Sequence, residues 1–283
     1  MDTGSFSHKN DLRPIGVFDS GIGGLTVLKE IWKQLPNENT VYFGDSGRMP
    51  YGTKSHETIK DYSMQIARFL ETKQVKMIVI ACSSACSHGY EAVRNSASVP
   101  VIEVISSGAR MAVSQTRNGN IGVVATRATV ESNIYKKAIE EQKGLLIKEQ
   151  LNVEQVACPL FVMLAEEGWW SNEIAFATAS RYLQPLLEKK IDTLVLGCTH
   201  YPLLAGTIQQ VMGKETTLIN AGESVAKLIR NNLKENQMEA SKDNTPFRLF
   251  YTSDDPDMFE NQAIPFLGGD CPKGTVKISI EDF

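Results

Sequence analysis

Short apolar runs alternate with longer amphipathic segments along most of this chain. Residues 15–19 and 40–45 are apolar at nearly every position, which is typical of strands buried on both faces. The segments 25–35 and 55–73 have apolar residues at helical spacing, and Ser55 is suited to cap the second of these helices. Strands that alternate with helices at this rhythm predict βαβ units and parallel sheets.

The same alternation continues to the end of the chain. A late strand is expected to return to the first sheet and complete it. The remaining predicted elements are strands at 76–81, 99–105, 120–126 and 246–253, and helices at 130–141 and 254–266.

Two sequence patterns occur once in each half of the chain, in the same order. IGVFDS at 15–20 is similar to IGVVAT at 121–126, and Cys82 and Cys198 each end an apolar run and precede hydroxyl side chains. Two ordered pairs of this kind favour an internal duplication. We therefore predict an α/β fold with two pseudo-symmetric lobes, each a parallel sheet flanked by helices.

The predicted lobes place a cleft between the carboxyl ends of their strands, where open α/β sheets bind ligands. The first lobe is expected to comprise 12–104 and 220–283, and the second 105–219. Residues 1–11 are polar and are predicted to form a disordered tail.

Composition excludes several classes of protein. With 283 residues, 42% hydrophobic and 22% charged, the chain is typical of a globular protein with its own core. A net charge of −4 argues against nucleic acid or an anionic membrane as the main partner. Neither a signal peptide nor a membrane-length apolar run is present, and the five cysteines are widely spaced. These features predict free thiols and a cytoplasmic location.

The two repeated cysteines are candidate reactive groups. Cys82 and Cys198 lie at strand-to-helix junctions, where the amino end of the helix favours a thiolate. Two thiols on opposite sides of a ligand suit a racemase, because one removes a proton and the other returns one to the opposite face. A zinc site that combines these cysteines with Cys86, His88 and His200 is an alternative interpretation.

Other polar side chains are expected near the thiols. Asp19 ends the first strand, Glu166 or Glu167 follows an apolar run, and His200 is close enough in sequence to tune Cys198. Gly52 would allow a ligand to approach the backbone. The predicted substrate-binding residues are Asp19, Ser20, Pro50, Tyr51, Gly52, Ser83, Ser84, Thr126, Thr129, Thr199 and His200.

Several motifs together resemble those of glutamate racemases, in the aspartate/glutamate racemase family. They are IGVFDSGIGGLTVL at 15–28, YFGD at 42–45, PYG at 50–52, IAC at 80–82 and GCTHYPLL at 197–204. The resemblance extends from about residue 14 to the segment 250–253.

This resemblance implies an isomerase that interconverts L- and D-glutamate without a cofactor or metal. It implies Cys82 and Cys198 as the two catalytic bases, assisted by Asp19, Glu166 and His200. It also implies a homodimer that supplies D-glutamate for peptidoglycan synthesis, and so for cell wall biogenesis and cell shape.

One position departs from the family pattern. Ser83 follows the first cysteine where the family usually has an asparagine, so an amide that both donates and accepts hydrogen bonds is lost. A bridging water would have to replace it if the amide contacts the substrate. Racemisation of aspartate or another amino acid, and a non-catalytic glutamate-binding regulatory role, are therefore alternatives.

Overall fold

A computed structural model describes residues 10–142 and 151–283 of this protein, and two parallel sheets form its framework. The first sheet has the order β10-β9-β2-β1-β3-β4, and the second has the order β6-β5-β7-β8. The strands are β1 Ile15–Asp19, β2 Thr40–Gly44, β3 Met77–Ile80, β4 Val101–Glu103, β5 Asn120–Ala125, β6 Asn152–Ala157, β7 Thr193–Gly197, β8 Thr217–Asn220, β9 Arg248–Thr252 and β10 Val276–Lys277.

The two sheets share one connectivity. The order β2-β1-β3-β4 in the first corresponds to β6-β5-β7-β8 in the second, and every pairing in both is parallel. Cys82 and Cys198 each follow the third strand of their sheet. The predicted fold of two similar α/β lobes is confirmed.

Helices cover the sheets and join them. Helix α10 packs on α1 and α4, and α4 packs on α6, so a continuous row of helices links the lobes. None of the helices in the described ranges is long and apolar enough to cross a lipid bilayer. The helices are α1 Leu25–Gln34, α2 His56–Thr72, α3 Ser83–Ser96, α4 Val104–Gln115, α5 Arg127–Glu131, α6 Ile134–Glu141, α7 Leu160–Glu166, α8 Glu173–Glu188, α9 Ala205–Met212, α10 Ala221–Glu235 and α11 Pro256–Leu267.

Most predicted elements are present with small changes at their ends. The predicted helix 55–73 is α2, and Ser55 caps it by accepting a hydrogen bond from the Thr58 N–H at 3.2 Å. The late strand is β9, which returns to the first sheet as predicted. It pairs in parallel with β2, and β10 forms the edge beyond it.

The predicted strand 99–105 extends too far. The strand β4 ends at Glu103, and the chain enters α4 at the next residue. The Glu103 carboxylate accepts hydrogen bonds from the backbone N–H groups of Ile105 and of Ser106, the latter at 2.9 Å. A side chain that satisfies the free donors of a helix start ends the strand there, although the following residues are apolar.

The predicted single helix 130–141 is wrong, because two helices occupy this region. Helix α5 ends before Asn133, which adopts a left-handed conformation with φ of 55°, and α6 starts at the next residue. Asparagine tolerates this conformation better than most residues.

The predicted disordered tail, 1–11, lies outside the described residues except for its last two. The backbone N–H of Asp11 donates to the Glu239 carbonyl at 3.3 Å. The lobe boundaries near residues 104 and 219 stay a prediction.

A buried ion pair ties distant segments together at the amino end of the first sheet. The Lys76 ammonium donates to the Glu38 carboxylate at 2.6 Å and to the carbonyls of Asp11 and Met238 at 2.9 and 2.7 Å. The second Glu38 oxygen accepts from the Ala240 N–H at 2.8 Å. All three donors of the ammonium are used, which offsets the cost of burying it.

We expect Lys76→Ala to lower the free energy of unfolding by about 3–5 kcal/mol, because it leaves the buried Glu38 charge uncompensated. Urea denaturation measures this loss. Lys227→Ala is the matched control, since it breaks an exposed ion pair with Glu223 and should cost less than about 1 kcal/mol. Equal losses for the two variants would contradict the interpretation.

Candidate active site

A cavity of about 470 Å³ opens between the carboxyl ends of the strands of the two lobes. Most of the predicted site residues line it. Three do not, but each touches a lining residue: Asp19, Thr129 and Glu166. The predicted residues at the cavity are Ser20, Pro50, Tyr51, Gly52, Cys82, Ser83, Ser84, Thr126, Cys198, Thr199 and His200.

The Cys82 thiol lies at the amino end of α3, in a buried position. Its sulfur accepts a hydrogen bond from the Ala85 N–H at 3.4 Å, and the thiol donates to the Ser20 hydroxyl at 3.5 Å. Burial, and then the nearby Asp19 carboxylate, raise the pKa of Cys82 to about 12. This thiol is therefore protonated at neutral pH and can supply a proton.

Cys198 begins a relay of three side chains in the second lobe. Its sulfur is 3.9 Å from His200 Nδ1, and His200 Nε2 is 3.0 Å from a Glu166 oxygen. Burial opposes a charge on His200, but the hydrogen bonds and charges of Cys198 and Glu166 outweigh it and raise its pKa to about 10. A thiolate at Cys198 and an imidazolium at His200 thus stabilise each other.

The contact with His200 distinguishes the two adjacent glutamates, Glu166 and Glu167. Glu166 ends α7 and meets His200, whereas Glu167 is exposed. His200 is only 4% exposed, so the relay is buried at this residue.

Asp19 connects the end of β1 to the second lobe. One of its oxygens accepts from the Gly21 N–H at 3.0 Å, and the other accepts from the Thr199 hydroxyl at 3.3 Å. Burial raises the pKa of this carboxyl, while the charge of His200 and these hydrogen bonds partly oppose the rise. The Thr26 hydroxyl donates to the Thr199 carbonyl at 2.8 Å, so the first lobe holds the segment after Cys198.

The lobes approach each other closely at Gly23. A Cβ atom at this position would lie 2.4 Å from the Thr199 hydroxyl oxygen and 2.5 Å from the His200 ring. Only glycine fits without moving these side chains.

Hydroxyl groups from both lobes meet on another wall of the cavity. The Ser84 and Thr126 oxygens are 3.1 Å apart. Thr126 caps α5 by accepting from the Thr129 N–H at 3.4 Å, and its hydroxyl is 3.0 Å from the Thr129 hydroxyl. With Ser83 in the first turn of α3, this wall presents hydroxyl groups and helix amino ends, which suit a carboxylate ligand.

The loop 46–53 forms the wall of the cavity that carries Pro50, Tyr51 and Gly52. The Tyr51 hydroxyl donates to the carboxylate of Asp45, the residue just before the loop. A Cβ at Gly52 would lie 3.3 Å from Thr126 Cβ, so the loop touches the second lobe.

Two cations at the cavity were absent from the sequence prediction. Lys54 comes from the first lobe and Arg127 from the second, and neither has an ion-pair partner within 4 Å among the described residues. Positive charge at the cavity attracts anionic ligands. The available signal was their position in sequence: Lys54 is two residues after the predicted Gly52, and Arg127 directly follows the predicted Thr126.

The alternative zinc ligands do not converge. The Cys86 thiol donates to the Ile80 carbonyl at 3.4 Å, and the His88 ring stacks on His56 with 3.8 Å between centroids. In residues 10–142 and 151–283, no three His, Cys, Asp or Glu side chains are grouped to hold a metal ion.

We expect Gly23→Ala to destabilise the protein by about 1–3 kcal/mol, because the added methyl group overlaps the Thr199 and His200 side chains. Chemical denaturation measures the change. Gly206→Ala is the control: nothing lies within 4 Å of its added methyl group, so stability should be unchanged or higher. A normal stability for Gly23→Ala would contradict the tight lobe contact.

The raised His200 pKa predicts a pH dependence of stability. Since the folded protein holds this proton more tightly than the unfolded chain, the stabilisation is fully present below the ordinary histidine pKa of 6.5. It is lost as pH rises toward about 10. We expect Glu166→Gln to reduce the loss of unfolding free energy across this range, measured by urea denaturation. The same loss in both proteins would show that Glu166 does not hold the imidazolium.

Comparisons of this chain with known proteins agree on one family. The model of the Asp/Glu/Hydantoin racemase family matches residues 15–245. A glutamate racemase of Geobacter metallireducens is 46% identical over 257 residues, covering 91% of this chain and 93% of that protein. One from Syntrophus aciditrophicus is 42% identical over 262 residues, covering 93% of this chain and 95% of that protein.

Solved structures have the same fold. Glutamate racemase isoform RacE1 from Bacillus anthracis superposes with a TM-score of 0.87 at 36% identity, over 95% of this chain and 97% of that one. Glutamate racemase from Francisella tularensis in complex with D-glutamate gives a TM-score of 0.87 at 36% identity, over 96% and 100%. This chain therefore belongs to the Asp/Glu/hydantoin racemase family.

Proposed function

We propose that this protein is a glutamate racemase, which interconverts L- and D-glutamate with Cys82 and Cys198 as its two acid–base groups. The observation that carries the proposal is the position of the two thiols. They follow the equivalent third strands of two similar lobes and line the same cavity. The glutamate racemases among its relatives support glutamate as the substrate.

In the proposed reaction, the α-carbon of glutamate lies between the two sulfurs. The Cys198 thiolate takes the α-proton and becomes a thiol, and the electron pair of the broken C–H bond stays on the substrate. The Cys82 thiol then donates its proton to the opposite face and becomes a thiolate. The reverse direction exchanges these roles, and no cofactor or metal takes part.

Neighbouring groups would tune and position this chemistry. The His200 imidazolium, held by Glu166, stabilises the Cys198 thiolate, and Asp19 favours the protonated form of Cys82. The hydroxyl wall of Ser84 and Thr126 would hold a substrate carboxylate. The proposed remaining substrate contacts are Ser20, Pro50, Tyr51, Gly52, Ser83 and Thr199, with Thr129 supporting Thr126 and with Lys54 and Arg127 attracting the anionic substrate.

Other parts of the proposal rest on the family resemblance. They are assembly as a homodimer, a cytoplasmic location and supply of D-glutamate for peptidoglycan synthesis. Ser83 lines the cavity with a short hydroxyl where the family usually has an amide, so we propose that a water bridges it to the substrate.

Replacement of either thiol tests the proposal. We expect Cys82→Ala and Cys198→Ala each to lower racemisation of glutamate by at least about 100-fold, because each removes one of two obligatory proton carriers. Circular dichroism follows the loss of optical activity from either enantiomer. Cys271→Ala changes an exposed thiol outside the cavity and should keep wild-type activity.

Running the wild-type reaction in D₂O adds a second criterion. Each newly formed enantiomer should carry deuterium at the α-carbon, since the donating thiol exchanges its proton with solvent. Aspartate and alanine tested in parallel separate glutamate specificity from the alternatives. Binding of glutamate without inversion or deuterium uptake would contradict the proposal and favour a binding protein, and faster inversion of aspartate would reassign the substrate.

A further inference from the structure

A serine near the end of the chain contacts the loop 46–53 from outside the cavity. Ser253 directly follows β9, at the carboxyl end of that strand. Its hydroxyl donates to an Asp45 oxygen at 2.7 Å and accepts from the Gly47 N–H at 3.0 Å. One hydroxyl thus binds both the side chain before the loop and the backbone at its start.

Asp45 links Ser253 to the residues at the cavity. Its carboxylate is completely buried, and it accepts from the Tyr51 hydroxyl and from Arg48 Nε, the latter at 2.8 Å to one oxygen. A buried carboxylate depends on its donors, because each lost partner leaves part of its charge unsatisfied. Ser253 and Tyr51 therefore donate to the same carboxylate, and Asp45 is the anchor that they share.

Arg48 connects the Asp45 carboxylate to α2. Its guanidinium donates to Gln65 at 2.6 Å and lies over the Tyr62 ring, 3.8 Å from the centroid. The Tyr62 ring also packs against that of Tyr51, with 5.5 Å between centroids. The loop is thus held on one side by α2 and on the other by Ser253.

The anchor is also close to the groups proposed to react. The Asp45 N–H donates to the Asp19 carbonyl at 3.1 Å, at the end of β1. On the cavity side, Gly52 faces Thr126 of the second lobe. A shift of Asp45 would therefore move the loop relative to both.

We propose that Ser253 is a positioning residue for racemisation: its hydroxyl fixes Asp45, which through Tyr51 fixes the cavity-lining residues 50–52. The proposal rests on the proposed function for its catalytic consequence. Ser253 lies beyond residues 15–245, which the family model matches. The carboxyl end of β9 is then a working part of the active site as well as a part of the first sheet.

Ser253→Ala tests this proposal with two readouts. We expect KM for glutamate to rise about fivefold to tenfold while kcat changes less than about twofold, because the substrate wall loosens and the thiols stay in place. We also expect hydrogen–deuterium exchange in peptides covering 46–54 to become faster than in the wild-type protein. Ser279→Ala is the control, since Ser279 is exposed and makes no capping hydrogen bond.

Two results would overturn the proposal. One is unchanged hydrogen–deuterium exchange at 46–54 in Ser253→Ala. The other is faster exchange at 46–54 in a Ser253→Ala protein whose KM for glutamate equals that of the Ser279→Ala control. A general loss of stability would speed exchange across the whole first sheet, whereas the proposal confines it to the loop. If the wild-type protein fails to racemise glutamate, the proposed function fails, and the exchange comparison still decides whether Ser253 holds the loop.

Discussion

The active-site arrangement depends on how closely two separate sheets approach each other at one point. A glycine turn after β1 packs directly against the segment that follows Cys198, with no room for a methyl group at Gly23. Asp19 and Thr26 each make a hydrogen bond to Thr199 at this junction. Together with the row of helices that links the lobes, this contact places the two thiols at one cavity.

The duplicated fold supplies two thiols at equivalent places but gives them different surroundings. Burial and the nearby Asp19 carboxylate raise the pKa of Cys82 and favour the neutral thiol, and the Ser20 hydroxyl opposes them only in part. Cys198 shares its site with a histidine that a glutamate holds in the charged form. Both environments are buried, so these few charges act with little screening by water. The two sulfurs therefore lie in electrostatically different surroundings.

Local patterns predicted the main strands of the first sheet but missed β6 and β8 of the second, and they predicted the fine structure of the site less well. Strands such as β1 and β7 are buried at every position, so their sequences are apolar at nearly every position. The end of β4 depends on the Glu103 carboxylate, and the division between α5 and α6 depends on Asn133. Neither side-chain effect changes the apolar pattern that predicted the elements.

Tertiary contacts decided what spacing along the chain could not. The choice between Glu166 and its neighbour depends on where the last turn of α7 meets His200, a residue far away in sequence. In the sequence, Lys54 and Arg127 cannot be told from ordinary surface cations. Only folding brings them to the same cavity.

The unequal surroundings of the two sulfurs have a kinetic consequence for a racemase. Mirror-image amino acids have the same free energy in water, so their equilibrium constant is one and kcat/KM must be equal in the two directions. Any advantage that His200 gives to proton removal from one enantiomer must therefore be balanced by how tightly that enantiomer is held. The asymmetry of the site can change saturation behaviour, but it cannot favour one hand of the product.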